Sequence, residues 1–309
     1  MATSSSWGEG YNGVPAPNPP LQITDNPSII TSNITTLNEG IPDARTKLLI
    51  SKLTEHLHAY VNDVKPTTEE WMNTIQFLTR TGQKCTDVRQ EFILLSDVFG
   101  ISALVDALNN PPNHGATEST ILGPFFTADA PDLGFGESIV SDAQGGVPMW
   151  VEGRVLSTDG EPIPDAVIDT WETDANGMYD TQYTVREQAD CRGRLKSNSE
   201  GNYSYRAIVP VPYPIPNDGP VGELLGTLQR HNMRPSHLHV KIEAKGYRTL
   251  VTALYFEGDQ WNSCDAVYGV KKSLICDLKE VSDPEEAKKR GMPKVPFKLL
   301  EFDFHLLKE

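Results

Sequence analysis

The chain has 309 residues, and its 42 acidic against 27 basic side chains leave a net charge of −15; the long-range field opposes phosphate backbones and anionic bilayers, so neither nucleic acid nor a membrane surface is expected as a partner. The length suits a core domain with an appendage. No apolar run approaches the roughly 20 residues that span a bilayer, and the N-terminus lacks the basic start and apolar stretch of a secretory signal, so a soluble, cytoplasmic protein is expected. Cys85, Cys191, Cys264 and Cys276 are scattered without a CxxC pair, as separate free thiols in a reducing compartment would be.

Residues 1–40 are rich in Ser, Gly, Pro, Asn and Thr and read as a flexible tail or surface-wrapping arm. Behind Asp43, a helix cap, Leu49, Leu53, Leu57 and Tyr60 recur at helical spacing. Thr67 and Glu70 have capping-box spacing ahead of Trp71, Ile75 and Leu78, which predicts a second helix. A third opens at Thr86, carries Phe92, Leu95, Val98 and Phe99 to Gly100, and continues through Ala103–Leu108 as far as Pro111. Residues 41–112 are therefore a helical domain. After Pro112 short apolar runs alternate with Gly, Pro, Asp and Asn clusters: Val147–Val155, Ala166–Trp171, Tyr203–Val209, His237–Ile242, Leu250–Tyr255 and Phe297–Phe304. The spacing predicts a β-sandwich over 113–309, with Asp159-Gly160 as a tight turn leading into a returning strand at Pro162-Ile163-Pro164. The fold class is mainly β, a sandwich preceded by an α-helical domain.

The sharpest local signal is His237-Leu238-His239. Strand side chains alternate faces, so both imidazoles point the same way and can chelate one metal; two hydrogen-bonded polar strand residues are the competing reading. His56 and His58 have the same spacing on a predicted helix, where i and i+2 diverge. The remaining donors stay open on the residues alone. Glu172 or Asp174 would complete an iron(II) facial triad. Tyr179, just past Asn176-Gly177, and Tyr213, among Pro210, Pro212, Pro214 and Pro216, sit on constrained backbone; taken alone each reads rather as an amphipathic core or rim residue.

The segments Glu118-Ser119-Thr120-Ile121-Leu122-Gly123-Pro124-Phe125-Phe126, Asp165–Trp171, Asn217-Asp218-Gly219-Pro220 and Arg234-Pro235-Ser236-His237-Leu238-His239 resemble the intradiol ring-cleavage dioxygenases of the catechol and hydroxyquinol 1,2-dioxygenase group. Gln90–Asp97 resembles that group's N-terminal helical domain, so the likeness runs from about residue 40 to the C-terminus. It implies a helical dimerisation domain, a homodimer, and a catalytic β-sandwich holding Fe(3+) through Tyr179, Tyr213, His237 and His239, with Tyr213 and His239 axial. The substrates implied are O2 and a small aromatic diol or triol, opened between adjacent hydroxyls to muconate- or maleylacetate-type products. Physical chemistry agrees with the ligand set. Ionising a phenol of pKa near 10 at pH 7 costs about 4 kcal/mol, which a trivalent ion readily offsets.

The resemblance gives Tyr213 a second role as the base that accepts a substrate proton, and places Arg234 beside the substrate ring, where a salt bridge within its loop is the alternative. Leu94, Asp97, Ile121, Leu122, Gly123 and Pro124 are expected to wall the substrate pocket. Ala253 stands where the family usually carries a glutamine facing the substrate, and cannot donate a hydrogen bond. Asp97 is either an ordinary helix-surface acid or a partner for a third ring hydroxyl, which favours hydroxyquinol slightly over catechol. The competing functional classes are a non-enzymatic transthyretin-like β-sandwich binding module and, further off, a zinc hydrolase.

Overall fold

The computed structural model describes residues 12, 14, 20–87, 89–111, 115–141, 145–185 and 188–309. Much of the expected N-terminal arm, at 1–11, 13 and 15–19, lies outside them. The chain divides into two compact units, 1–76 and 77–309.

The first unit contains α1 (Pro27–Glu39), α2 (Ala44–Val64) and the start of α3 (Thr68–Lys84). Helix α1 corrects the reading of 27–39 as part of a tail. Proline occupies its first turn and the Asn26 side chain accepts the Ser28 N–H, a start signal that low overall hydrophobicity obscures. It is tied to α2 by the Thr31 hydroxyl, 2.8 Å from His58 Nδ1. Asp43 caps α2 by accepting the Thr46 N–H at 2.7 Å. Thr67 and Glu70 exchange reciprocal hydrogen bonds, Thr67 N–H to the Glu70 carboxylate and Glu70 N–H to the Thr67 hydroxyl, as their spacing predicts. Leu49, Leu53 and Leu57 each remain more than half exposed.

In the second unit α4 (Glu91–Val98) starts later than expected, because Thr86 accepts the Arg89 N–H in a turn ahead of it. Gly100, at φ +72°, separates α4 from α5 (Ile101–Asn109). The strands follow: β1 (Pro148–Ser157), β2 (Val167–Trp171), β3 (Arg192–Lys196), β4 (Asn202–Ile208), β5 (Tyr213–Pro214), then α6 (Pro220–Thr227), β6 (Met233–Arg234), β7 (His237–Glu243), β8 (Leu250–Phe256), β9 (Ile275–Cys276), β10 (Lys279–Val281), α7 (Pro284–Arg290), β11 (Phe297–Glu301) and β12 (Phe304–Leu306). One sheet runs β10-β11-β1-β12, with β4 also paired to β1; the second runs β3-β2-β7-β8-β9; β5 and β6 form a short separate ribbon. Met149, Val151, Tyr205 and Leu300 of the first sheet pack with Ile168, Leu195, Leu238, Val240 and Leu254 of the second, the core of a sandwich.

Two expected strands differ. The return after Asp159-Gly160 is a single bridge, Leu156 to Pro162. Phe297–Phe304 breaks into β11 and β12, which lie parallel to successive parts of β1. The crossing point is at Gly153, where an added Cβ would stand 1.8 Å from the Phe302 carbonyl oxygen. Phe302 is itself held there, its N–H donating to the Glu152 carbonyl and its own carbonyl accepting from the Tyr203 hydroxyl. No helix among the described residues is long and apolar enough to cross a membrane.

Since backbone rather than a flexible side chain blocks that position, Gly153→Ala is expected to lower unfolding stability by about 2 kcal/mol or more. Urea denaturation measures this, and a variant within about 0.5 kcal/mol of wild type would show that the crossing relaxes freely.

Candidate metal centre

Strand β7 alternates strictly. Leu238, Val240 and Ile242 are buried in the sandwich core, which turns His237 and His239 to the other face of the sheet. Pairing puts Trp171 of β2 and Ala253 of β8 on either side of His239, and Tyr255 beside His237. The Trp171 indole stacks flat on the His239 imidazole, centroids 4.7 Å apart and planes 5° apart.

The two tyrosines arrive from irregular backbone. Asp174 accepts the N–H groups of Asn176 and Met178 at 2.8 and 3.0 Å and its carbonyl accepts that of Gly177, so the turn before Tyr179 is closed by a carboxylate. Gly177 takes φ +80° with its Cα facing the Tyr213 Cβ. The Tyr179 N–H donates to Gln182 Oε1 at 2.8 Å, and the Tyr179 ring stacks on Phe125 at 4.3 Å. Tyr213 is carried on β5 directly opposite Arg234 of β6. Asp174 thus organises a turn. Glu172 accepts the Ile208 N–H at 3.1 Å, and burial pushes its carboxyl well above the usual carboxylate range. Among the described residues no group of three or more His, Cys, Asp or Glu is placed to hold a metal ion.

What converges instead is a Tyr/His set, all four side chains buried. His237 Nε2 lies 3.0 Å from His239 Nε2 and 3.3 Å from the Tyr179 hydroxyl, which is 3.5 Å from the Tyr213 hydroxyl. Donors about 2.0–2.2 Å from a shared ion stand roughly 2.8–3.6 Å from one another, so this spacing fits one metal. His237 Nδ1 lies 2.8 Å from the Pro235 carbonyl, which fixes the proton there and leaves Nε2 as the lone-pair nitrogen. Burial, reinforced at His237 by Arg234 and at His239 by His237, Arg234 and Arg192, holds both imidazoles well below their ordinary pKa. They are therefore neutral, the ligating form. Burial pushes the Tyr179 phenol well above its ordinary value in the metal-free chain, so only a strongly charged ion would ionise it.

Arg234 Nη1 reaches both sets of donors, 3.1 Å from His237 Nε2 and 3.4 Å from the Tyr213 hydroxyl. The salt bridge weighed as its alternative also exists. Asp265 takes Nε and Nη2 at 3.1 and 3.3 Å and in turn accepts the Gly269 N–H at 2.9 Å, while Nη2 approaches the Tyr255 hydroxyl at 3.4 Å. Burial works against the Arg234 charge, and Asp265, Tyr213 and Tyr255 together outweigh it.

Of the expected pocket residues, Leu94 and Ile121 share one buried cluster with Trp171, Tyr179 and Tyr213. Gly123, at φ +73°, brings its backbone to His239, where a Cβ would lie 3.6 Å from Cε1. Pro124 is half-buried and Leu122 is 38% exposed. Asp97 is 3% exposed, which removes the helix-surface reading; burial raises its carboxyl, and a hydrogen bond with Ser102 and then Arg234 counteract. His58 is bonded to Thr31. The sequence reading missed Asp265, Tyr255, Trp171 as a stacking partner, and the Arg192–Asp180 pair. Tyr255 and Trp171 follow from strand register with the histidines; Asp265 carries no local signal.

The chain is similar to known proteins over most of its length. A family model described as "Catechol dioxygenase N terminus" matches residues 43–117, and one described as "Dioxygenase" matches 121–307. An intradiol ring-cleavage dioxygenase of Aspergillus niger, hqdA, is 45% identical over 293 residues, covering 94% of this chain and 87% of the relative. A hydroxyquinol 1,2-dioxygenase of a Rhizobium species is 44% identical over 265 residues, covering 85% and 90%. The crystal structure of a hydroxyquinol 1,2-dioxygenase from Pseudomonas putida superposes with a TM-score of 0.83 at 44% identity, covering 91% of this chain and 98% of that one. With the helical and sandwich parts both matched, the chain belongs to the intradiol ring-cleavage dioxygenases, in the catechol and hydroxyquinol 1,2-dioxygenase group.

Proposed function

We propose that Tyr179, Tyr213, His237 and His239 hold one iron(III) ion and that the enzyme opens hydroxyquinol with O2 between adjacent hydroxyls, giving a maleylacetate-type product. The observation that carries this is the convergence of two neutral imidazoles and two phenols at 3.0–3.5 Å in a buried site. Iron(III) held there would supply a Lewis acid that makes the diol's hydroxyls more acidic and the ring electron-rich enough to react with O2.

The protein's own groups do the rest. The Tyr213 oxygen accepts the proton of an arriving ring hydroxyl, with Arg234 Nη1 at 3.4 Å to stabilise whichever oxygen carries the negative charge. Arg234 is the catalytic cation for charge that develops as the ring opens, kept in place by Asp265. Trp171 and Phe125 pack on His239 and Tyr179 and keep water from the ligands. Leu94, Asp97, Ile121, Leu122, Gly123, Pro124 and Ala253 form the substrate wall. Asp97 favours the triol, because a buried carboxyl close to Arg234 offers a partner for a third hydroxyl, and relatives at 44–48% identity are hydroxyquinol or chlorohydroxyquinol 1,2-dioxygenases. Ala253, opposite His239, leaves the ring without the family's side-chain donor on that side. A transthyretin-like binding module has no use for this set of converging buried polar side chains.

The helical domain, taken as residues 41–112, pairs two copies of the chain; the half-exposed leucines at 49, 53 and 57 support this. The four unpaired thiols suit the cytoplasm.

Purified protein should contain iron and show a broad tyrosinate charge-transfer band that moves to longer wavelength when hydroxyquinol is added under nitrogen. Tyr179→Phe should lose most of the iron and the band, whereas a colourless wild-type protein that takes up no iron on reconstitution would refute the centre. Arg234→Ala should retain iron and lose about 10²–10³-fold in kcat, read by oxygen uptake. Asp97→Ala should cut the ratio of kcat/KM for hydroxyquinol over catechol by about tenfold or more, and an unchanged ratio would remove Asp97 from specificity.

A further inference from the structure

Arg192 lies on β3 opposite Trp171 and is 2% exposed. Its Nε donates to both oxygens of Asp180 at 3.0 and 2.9 Å, and Nη2 donates to the same carboxylate. Nη1 turns the other way, donating to the Phe125 carbonyl at 3.0 Å and the Thr127 hydroxyl at 2.9 Å. Asp180 directly follows Tyr179 in the chain, and its carboxylate also accepts the Thr181 and Asp190 N–H groups at 2.9 and 3.2 Å. Phe125 is the residue whose ring lies flat on the Tyr179 ring, 4.3 Å away with planes 18° apart. One guanidinium therefore joins the segments on both sides of a single phenol, through the Asp180 side chain next to Tyr179 and the backbone carbonyl of Phe125, whose ring covers it.

A salt bridge that served stability alone would not need this arrangement. A buried ion pair is often replaceable by apolar side chains at little cost in stability, whereas a planar fork with separated donors fixes distance and angle between the two segments it joins. Lysine, a point charge, cannot span both. The segment around Tyr179 has no strand to hold it; its nearest regular structure is the single 3-10 turn Asp180–Gln182. The clamp supplies the fixed geometry that β7 supplies to the histidines.

We propose that Arg192 is the positioning residue for the Tyr179 phenolate, acting through Asp180 on one side of the ring and Phe125 on the other, and so setting the orientation in which Tyr179 meets its metal. This rests on the reading of Tyr179 as a ligand.

The test uses full-length wild type, the Asp180→Leu/Arg192→Leu double variant and Arg192→Lys, each loaded with iron. Thermal melts report folding, metal analysis reports occupancy, and the charge-transfer band and steady-state kinetics report the phenolate. The double variant should fold and bind iron, show a displaced band, and lose about 10–100-fold in kcat with KM changed much less. Arg192→Lys should displace the band in the same direction by a smaller amount. A folded, iron-loaded double variant with the wild-type band and turnover would overturn the clamp. Should the double variant not fold, Arg192→Lys decides in the same terms, a wild-type band and kcat again overturning it. Wild-type protein that takes up no iron would instead overturn the ligand assignment beneath the proposal, a result distinct from an iron-loaded wild type whose variants are spectroscopically unchanged.

Discussion

The register of β7 between β2 and β8 is the constraint from which the rest of the site follows. Leu238, Val240 and Ile242 are each at most 1% exposed, and burying such a side chain is worth roughly 1.5–3 kcal/mol. A slip of one residue would exchange all three for two imidazoles and a lysine in the sandwich core, so the hydrophobic effect holds the pairing far more firmly than any polar contact does. The direction of His237 and His239 is a by-product of that burial. So is the position of their neighbours, because the same pairing places Trp171, Ala253 and Tyr255 on the histidines' face.

The tyrosines have no such support and are held by local chemistry. Asp174 closes the turn ahead of Tyr179, prolines restrict the backbone around Tyr213, and a two-residue ribbon fixes Tyr213 against Arg234. Two buried ion pairs complete the frame, Arg234 with Asp265 and Arg192 with Asp180. Each is a liability for stability by itself, since two charges leave water for one interaction. What each contributes is a defined distance between segments far apart in sequence, which apolar packing specifies less sharply.

Legibility in the sequence tracks how local the cause is. The caps at Asp43 and Thr67, the alternation in His237–Ile242 and most strands are set by neighbours a few residues away, and all were readable from spacing. Helix α1 was masked because its composition is polar, although Asn26 and Pro27 mark its start. The break in Phe297–Phe304 depends on a glycine about 150 positions earlier, and no spacing rule reaches that far. Burial of Asp97 and the pairing of Arg234 with Asp265 are likewise tertiary facts. The tyrosines are the instructive case: their residues alone favoured a packing role, and only likeness to a known family made them candidate ligands.

Charge balance then bears on which ion the donors suit. Asp265 offsets Arg234 and Asp180 offsets Arg192, so neither pair brings uncompensated charge to the proposed centre. The imidazoles are neutral. Two ionised phenols would bring two negative charges into buried surroundings, and burial pushes the Tyr179 phenol well above its ordinary pKa. A divalent ion would only cancel them. In the proposed reading a trivalent ion would leave one positive charge over, which would attract an anionic oxygen of the substrate. A diol bound with both oxygens ionised would bring two further negative charges, one of them offset by protonation of the Tyr213 oxygen, and the cation beside those oxygens is Arg234, whose Nη1 lies 3.1 Å from His237 Nε2 and 3.4 Å from the Tyr213 hydroxyl. The same arginine whose charge is costly to bury is, in that reading, the group placed to stabilise that negative charge.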